Sequence, residues 1–302
     1  MADICPVVNT ERLLLTTDGS DFSEGATREA IRLAKQCGST LSAMTVIETN
    51  PEYETIAPQL LEKAEKTAWS HLEAVKARAK KEGVDCAISV HEGEDSFHFI
   101  SDEAAKFKAS MIIMGRRGRK GFKRLMMGST TARVIGHAPC NVLVVPRAAQ
   151  VEFKNILVAT DGSVYSAAAS SEAIGIAKRN SAKLTVIAAV PAELAVPTDI
   201  EFVTAPRELM AEKEMREAEK NAKAVKEAAA KEGVSVQAFV MTGKPADAIV
   251  ETAKEKNCDL IVLGSHGRTG LERLLMGSVA ERAIVLATGA VLVVKSKQGR
   301  QA

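Results

Sequence analysis

Two stretches of this chain carry the same spacing of glycines closed by a serine. Gly115, Gly118, Gly128 and Ser129 follow the apolar run MIIM (111–114), and Gly264, Gly267, Gly277 and Ser278 follow LIVL (260–263). Both read G-x2-G-x9-G-S. Glycine lets backbone N–H groups approach an anion closely and adopt positive φ. Successive N–H groups make a concave nest, and a helix opening at the serine adds the positive end of its dipole. The serine hydroxyl can donate to a phosphate oxygen. Alone, Gly128-Ser129 also reads as a plain turn with a serine N-cap. Two copies at one spacing, each behind an apolar run, favour the anion site. The pattern is no Walker A loop, because GK[ST] is missing, and it differs from GxGxxG. Without the P-loop lysine no dedicated residue holds and activates a γ-phosphate, so binding is expected rather than transfer, and no residue is assigned a catalytic role.

A second pair of residues accompanies the glycines. ERLLLTTDGS (11–20) and KNILVATDGS (154–163) end an apolar run on Thr17-Asp18 and Thr160-Asp161. If these runs neighbour the strands that lead into the glycine loops, Asp18 and Asp161 face the same space. A carboxylate there accepts from an adenine amino group or a ribose hydroxyl; the alternative is an Asp-Gly turn with a helix cap. The two loops differ in charge. The first has Arg116-Arg117, followed by Arg119, Lys120, Lys123 and Arg124; the second has Ser265-His266. Arg117 suits bidentate pairing with a phosphate and His266 a single phosphate contact, with projection into solvent open for both. Asp259, where the first copy has Ser110, reads as a residue at the start of a strand and not as a ligand. His71, His91, His98 and His137 show no metal-ligand spacing, and the residues specify no metal.

The elements that must carry these groups alternate. The first half contains LLL (13–15), LSAMTVI (41–47), CAISV (86–90), MIIM (111–114) and VLVV (142–145), and the second ILVA (156–159), LTVIAAV (184–190), VQAFV (236–240), LIVL (260–263) and VLVV (291–294). Continuous apolar runs are strands buried on both faces. Ala-, Glu- and Lys-rich stretches lie between them, such as TAWSHLEAVKARAKKEG (67–83), which stops at Gly83. Strand–helix alternation with right-handed crossovers predicts an α/β fold of parallel sheets covered on both faces, a doubly wound Rossmann-like unit. Both glycine loops then lie at carboxyl ends of strands, where open α/β sheets bind ligands.

The halves are a duplication. GRRGRKGFKRLMMGSTTARVIGHA (115–138) matches GSHGRTGLERLLMGSVAERAIVLA (264–287) at 12 of 24 positions. Corresponding residues lie 143 apart at Asp18 and Asp161, 150 at Gly83 and Gly233, and 149 at Gly115 and Gly264, so the second copy gains residues after its second strand. Domains of 1–149 and 150–302 follow, with PRAAQ (146–150) as linker. The 302 residues are 46% apolar, 26% charged and 4% aromatic, with 40 basic against 38 acidic groups. The near-balance gives no electrostatic reason for nucleic-acid or membrane-surface binding. No apolar run is long enough to span a bilayer. MADICPVVNTER lacks the features of a signal peptide. Cys5, Cys37, Cys86, Cys140 and Cys258 form no CxxC, and their scatter suits reduced thiols in a cytoplasm.

TDGS after the first strand, the G-x2-G-x9-G-S loop and the closing VLVVP (142–146) or VLVVK (291–295) resemble the universal stress protein family, and the resemblance covers nearly all of both halves. It implies two tandem three-layer domains, each with a five-stranded parallel sheet of order 3-2-1-4-5. It also implies sites for ATP or another adenine nucleotide, with Mg as the divalent companion. By position, Asp18 and Asp161, after Thr17 and Thr160, would face adenine or ribose. Val46 and Ala189 would offer backbone groups to adenine. Gly115, Gly118, Gly128 and Ser129, with Gly264, Gly267, Gly277 and Ser278, would hold ribose and phosphates, with Thr130 and Val279 next at the helix start. The family pairs through its last strand, so the VLVV strands are expected to form an intrachain pseudo-dimer, with a homodimer as further association. The leading expectation is an ATP-binding sensor or regulator in stress response. Slow ATP hydrolysis and a nucleotide-free interaction module are the alternatives.

Overall fold

A computed structural model describes residues 5–7, 10–50, 52, 56–118, 126–191, 201–268 and 276–296, with side chains in the second long helix from 209 onward. The chain divides into two compact units, 1–150 and 151–302. The first unit runs β1 (Arg12–Thr16), α1 (Glu24–Cys37), β2 (Thr40–Glu48), α2 (Pro58–Lys81), β3 (Cys86–Gly93), α3 (Ser96–Lys106), β4 (Met111–Gly115), α4 (Ser129–His137) and β5 (Asn141–Val145). The second repeats it: β6 (Asn155–Ala159), α5 (Val164–Asn180), β7 (Lys183–Val190), α6 (Glu201–Lys231), β8 (Ser235–Thr242), α7 (Pro245–Glu255), β9 (Leu260–Gly264), α8 (Ser278–Leu286) and β10 (Ala290–Val294).

Within the first unit the strand order is β3-β2-β1-β4-β5, and within the second β8-β7-β6-β9-β10; every pairing in either unit is parallel. This is the expected doubly wound α/β architecture. Leu13, Leu14, Leu15, Ile112 and Ile113 are fully buried, as residues of strands covered on both faces must be. Each such side chain contributes about 1.5–3 kcal/mol relative to exposure. The covering helices are amphipathic: α2 buries Ala68, Leu72, Val75 and Ala79 at helical spacing. With few aromatics, small aliphatic side chains do this packing. Gly83 and Gly233 follow α2 and α6 at φ 74° in both copies, a left-handed turn that an L side chain adopts only at a cost.

The order places a topological switch between β1 and β4, and between β6 and β9. From the switch, the chain winds outward in opposite directions, which opens a crevice beyond the carboxyl ends of the two strands. Register sharpens it. β1 ends at Thr16 opposite Met44, and the Thr17 N–H donates to the Met44 carbonyl at 3.0 Å, while β2 continues to Glu48. In the second unit the Thr160 N–H donates to the Ile187 carbonyl at 2.9 Å and β7 continues to Val190.

Of three local expectations, that for the cysteines takes a different form. Cys5 and Cys37 are not reduced thiols: they form a disulfide tying the N-terminal segment to the end of α1. Spacing gave no sign of it, because 32 residues separate the pair. Of the remaining cysteines, burial pushes the Cys86 and Cys258 thiols up to about 11. PRAAQ, at the end of the first unit, is held by packing. Arg28 donates to the Ala149 carbonyl, Arg147 pairs with Asp21 at 3.0 Å, and a side chain at Gly25 would strike the Pro146 carbonyl. Asp259 is the strand-start residue expected, and its carboxylate accepts the N–H groups of Phe153, Lys154 and Asn155 at 2.7, 2.9 and 2.9 Å. It thereby fixes the start of β6 against that of β9.

Candidate functional site

Each unit carries its own cleft at the switch, built from the same four pieces. The first piece is the turn after the opening strand. Asp18 Oδ1 accepts the Ser20 N–H at 3.0 Å and the Ser20 hydroxyl at 2.7 Å; Asp161 Oδ1 accepts the Ser163 N–H at 3.0 Å. These Asx turns fix the carboxylates. Thr17 and Thr160 are buried beneath them. The Thr17 hydroxyl meets Ser23 Oγ and His71 Nε2, each at 2.9 Å, and accepts the Gly19 N–H at 3.2 Å. The Thr160 hydroxyl meets Ser166 Oγ at 3.4 Å. Both threonines brace the turn from within.

The second piece is the strand exit into the glycine loop. A Cβ on Gly118 would lie 2.9 Å from Asp18 Oδ2, and one on Gly267 would lie 2.8 Å from Asp161 Oδ2. The loop backbone therefore rests directly on the carboxylate in both units, bringing together residues 100 and 106 positions apart in sequence. Gly115 and Gly264 are closed by backbone: a Cβ would stand 2.8 Å from the Phe22 carbonyl oxygen or 2.7 Å from the Tyr165 carbonyl carbon. Only glycine admits these approaches without displacement.

The third piece is the helix start. The Gly128 N–H donates to the Arg116 carbonyl at 3.0 Å, and the Gly277 N–H to the Ser265 carbonyl at 2.9 Å. This bond folds the last glycine back over the strand exit. Gly128 and Gly277 are themselves the N-caps of α4 and α8, with no side chain capping either helix. The serines are the first helical residues and not caps. Ser129, Ser278 and Val279 are exposed and Thr130 is half-buried. The first-turn N–H groups and the helix dipole thus meet beside the loop.

The fourth piece is the overhanging second strand. Met44 and Ile187 direct their carbonyls at the threonines of the turns. Val46 and Ala189 lie two residues further on and direct their backbone groups to the same side, beyond the end of β1 or β6. Each cleft therefore collects a carboxylate, a backbone edge suited to a planar heterocycle, a glycine loop and a helix N-terminus.

The walls differ. In the first unit the Arg117 guanidinium lies 5.9 Å from the Phe22 ring centroid. Burial lowers the pKa of Arg116, and the Arg117 charge beside it lowers it further. In the second unit His266 stands 5.1 Å from Tyr165, centroid to centroid, and its Nδ1 is 3.1 Å from Ser265 Oγ. The Arg268 N–H donates to Asp161 Oδ2 at 2.9 Å, and its guanidinium reaches Glu214 at 2.6 Å and Glu217 at 3.3 Å on α6. The hydrogen bond to Glu214, foremost, holds the Arg268 pKa up. Arg119, Lys120, Lys123 and Arg124 lie outside the described residues. Among the described residues no group of three His, Cys, Asp or Glu side chains gathers to hold a metal ion.

Phe22, Tyr165, His71, Glu214 and Glu217 are wall or brace residues that motif reading did not reach. The repeat held a signal for two of them: Phe22 and Tyr165 are both aromatic and stand at equivalent positions. His71 corresponds to Asn221, which lies against Gly162, again under the turn.

Comparison with known proteins agrees with the fold. The model of the universal stress protein family matches residues 9–146 and again 152–295. A universal stress protein of Methanocaldococcus jannaschii is 43% identical over 147 residues, 47% of this chain and 82% of its own length. One of Bacillus subtilis is 36% identical over 148 residues, 47% of this chain and 99% of its own. A crystal structure of a universal stress protein from Archaeoglobus fulgidus superposes with a TM-score of 0.73 at 21% identity, covering 96% of this chain and 98% of that one; at that identity it speaks for the fold. The chain belongs to the universal stress protein family and carries two tandem copies of its domain.

Proposed function

We propose that each unit binds an adenine nucleotide, ATP foremost, and that the chain acts as a nucleotide-dependent sensor or regulator and not as a dedicated catalyst. The observation that carries this reading is the approach of Gly118 to Asp18 and of Gly267 to Asp161, within 3 Å of a built Cβ in both copies. It brings a ribose- or adenine-accepting carboxylate against a phosphate-type loop. Asp18 and Asp161 take the nucleoside, Val46 and Ala189 offer backbone to its base, and Gly115, Arg117, Gly118, Gly128, Ser129 and Thr130 border the phosphates in the first unit. Gly264, His266, Gly267, Gly277, Ser278 and Val279 do so in the second. Mg accompanies the phosphates in this reading, but the described protein groups form no cage for it, so no step is routed through it.

A cytoplasmic setting belongs to the same reading, and there the Cys5–Cys37 bond is open to reduction. So does association through the VLVV strands, within or between chains, which sedimentation of the full chain measures. Acid extraction of protein purified under mild conditions, followed by mass spectrometry, tests the nucleotide itself. The expected result is adenine nucleotide approaching two moles per mole of chain. Extracts without nucleotide, from protein that also takes up none when ATP is added, would overturn the reading.

A further inference from the structure

We propose that the Cys5–Cys37 bond is a reversible redox clasp on the first unit alone, opened at the Cys5 sulfur by small-molecule thiols and closed again by their disulfides. The comparison between the copies carries this, because the second unit reaches the same strand order without the bond. At the 143-residue offset of this region, Cys5 corresponds to Ala148, Thr10 to Phe153, Cys37 to Asn180 and Ser39 to Ala182. None of the four side chains that build the clasp recurs, so the fold itself does not require it. The inference stands whatever the clefts bind.

The bond sits where a thiol can reach it. Cys5 and Cys37 are both half-buried, whereas Cys86 is buried and its thiol is pushed up to about 11. The two bonded sulfurs are unequal. Thr10 Oγ1 lies 2.9 Å from Cys5 Sγ; a disulfide sulfur carries no proton, so the hydroxyl is the donor. Cys37 is the last residue of α1, where the negative end of the helix dipole disfavours an anion. Cys5 is therefore the better leaving group. An external thiolate attacks Cys37 Sγ, the S–S electron pair departs on Cys5 Sγ beside the Thr10 hydroxyl, and a mixed disulfide forms at Cys37. A second thiol displaces Cys37. Two external thiols become one disulfide, and their two protons pass to the two cysteines. The Cys5 thiol then has the Val7 carbonyl, 3.0 Å from its sulfur, as an acceptor.

Opening removes a cross-link between residues 32 apart. The segment before β1 then depends on the Ser39 hydroxyl donating to the Thr10 carbonyl, the Thr40 N–H donating to the Glu11 carbonyl at 2.9 Å, and the burial of Val7. The first unit should lose stability on reduction, while the second has no bond to lose.

The full chain treated with dithiothreitol, then acid-quenched, unfolded and alkylated, tests this by mass. Three of the five cysteines should label before reduction and all five after it. Oxidised dithiothreitol should return the count to three. The thermal midpoint of the reduced chain should fall by about 5–10 °C. Cys5→Ser with Cys37→Ser should show the same fall and no response to dithiothreitol. Thr10→Val should still form the bond but open it at least about threefold more slowly. If that variant fails to form the bond, the reduction and reoxidation of the unaltered chain still decide. Five labels before reduction, a midpoint that does not move on reduction, or an unchanged opening rate in a bonded Thr10→Val chain would overturn the proposal. Each of these outcomes leaves the nucleotide reading untouched.

Discussion

Substituting alanine for Gly118 adds one methyl group, and its consequence follows from a single distance. The new Cβ would lie 2.9 Å from Asp18 Oδ2 and 3.7 Å from Asp18 Cγ, the approaches it makes among the described residues. Ordinary contact needs about half an ångström more, so one partner must yield. The strand-exit backbone is tied to the sheet, whereas the carboxylate turns about two bonds. The aspartate therefore moves, and in doing so it loosens the bonds that Oδ1 receives from the Ser20 N–H and hydroxyl. Hydrogen bonds to a charged acceptor contribute about 1.5–3 kcal/mol each when well made, and partial exposure here brings the expected loss to about 1–2 kcal/mol. Because the same carboxylate is the proposed nucleoside contact, ATP affinity at the proposed site should fall by roughly ten- to a hundredfold. Gly267→Ala repeats the perturbation at 2.8 Å and also disturbs the Arg268 N–H bond to Asp161. Thermal denaturation and calorimetry on each variant give both numbers. Gly118→Ala with unchanged stability and unchanged ATP affinity would refute the reasoning, because the carboxylate would then be neither against the loop nor at the ligand.

Three further outcomes follow from the same structure. Gly115→Ala and Gly264→Ala meet backbone instead of a movable side chain, so denaturant unfolding should show losses of about 2–4 kcal/mol, more than for Gly118→Ala; equal or smaller losses would contradict the close strand–turn packing. Asp259→Ala leaves three N–H groups at the start of β6 without their acceptor and should cost about 2–4 kcal/mol, whereas a change under about 0.5 kcal/mol in urea unfolding would show that the brace is idle. Cys86 and Cys258 stay protonated up to about 11, against 9.0 in the open chain, because burial disfavours their thiolates. Folding is favoured below the unfolded value, and that stability is lost as pH climbs from about 9 toward 11. Thiolate-directed labelling should accordingly spare both cysteines at about pH 8 in folded protein, and rapid labelling there would contradict the assignment.

How much of this was legible in the sequence depended on the range over which each signal acts. Strands such as Leu13–Leu15 and Met111–Met114 announce themselves because burial on both faces demands unbroken apolar runs. The paired glycines and aspartates were visible because duplication wrote them twice. The family resemblance supplied the strand order, which brings Asp18 and Gly118 together. Features made by distant residues were invisible. Nothing near Arg268 signals that Glu214 and Glu217, on a helix some fifty residues earlier, will hold it. The Cys5–Cys37 bond has no motif, and reading scatter as reduced thiols failed for that reason. The helices open at Ser129 and Ser278 as expected, and the alternative of a serine cap falls because backbone geometry makes Gly128 and Gly277 the caps. PRAAQ has the composition of a linker, and its packing on α1 depends on Gly25, over a hundred residues away.

The central claim is that each unit holds one adenine nucleotide between its aspartate and its glycine loop. Calorimetric titration of nucleotide-stripped full chain with ATP, repeated for Gly118→Val, Gly267→Val and the double variant, tests it most directly. The account predicts stoichiometries of two, one, one and zero per chain, with the thermal transition retained in every variant that is scored. Undiminished binding in the double variant, or no binding to the unaltered chain, would contradict it.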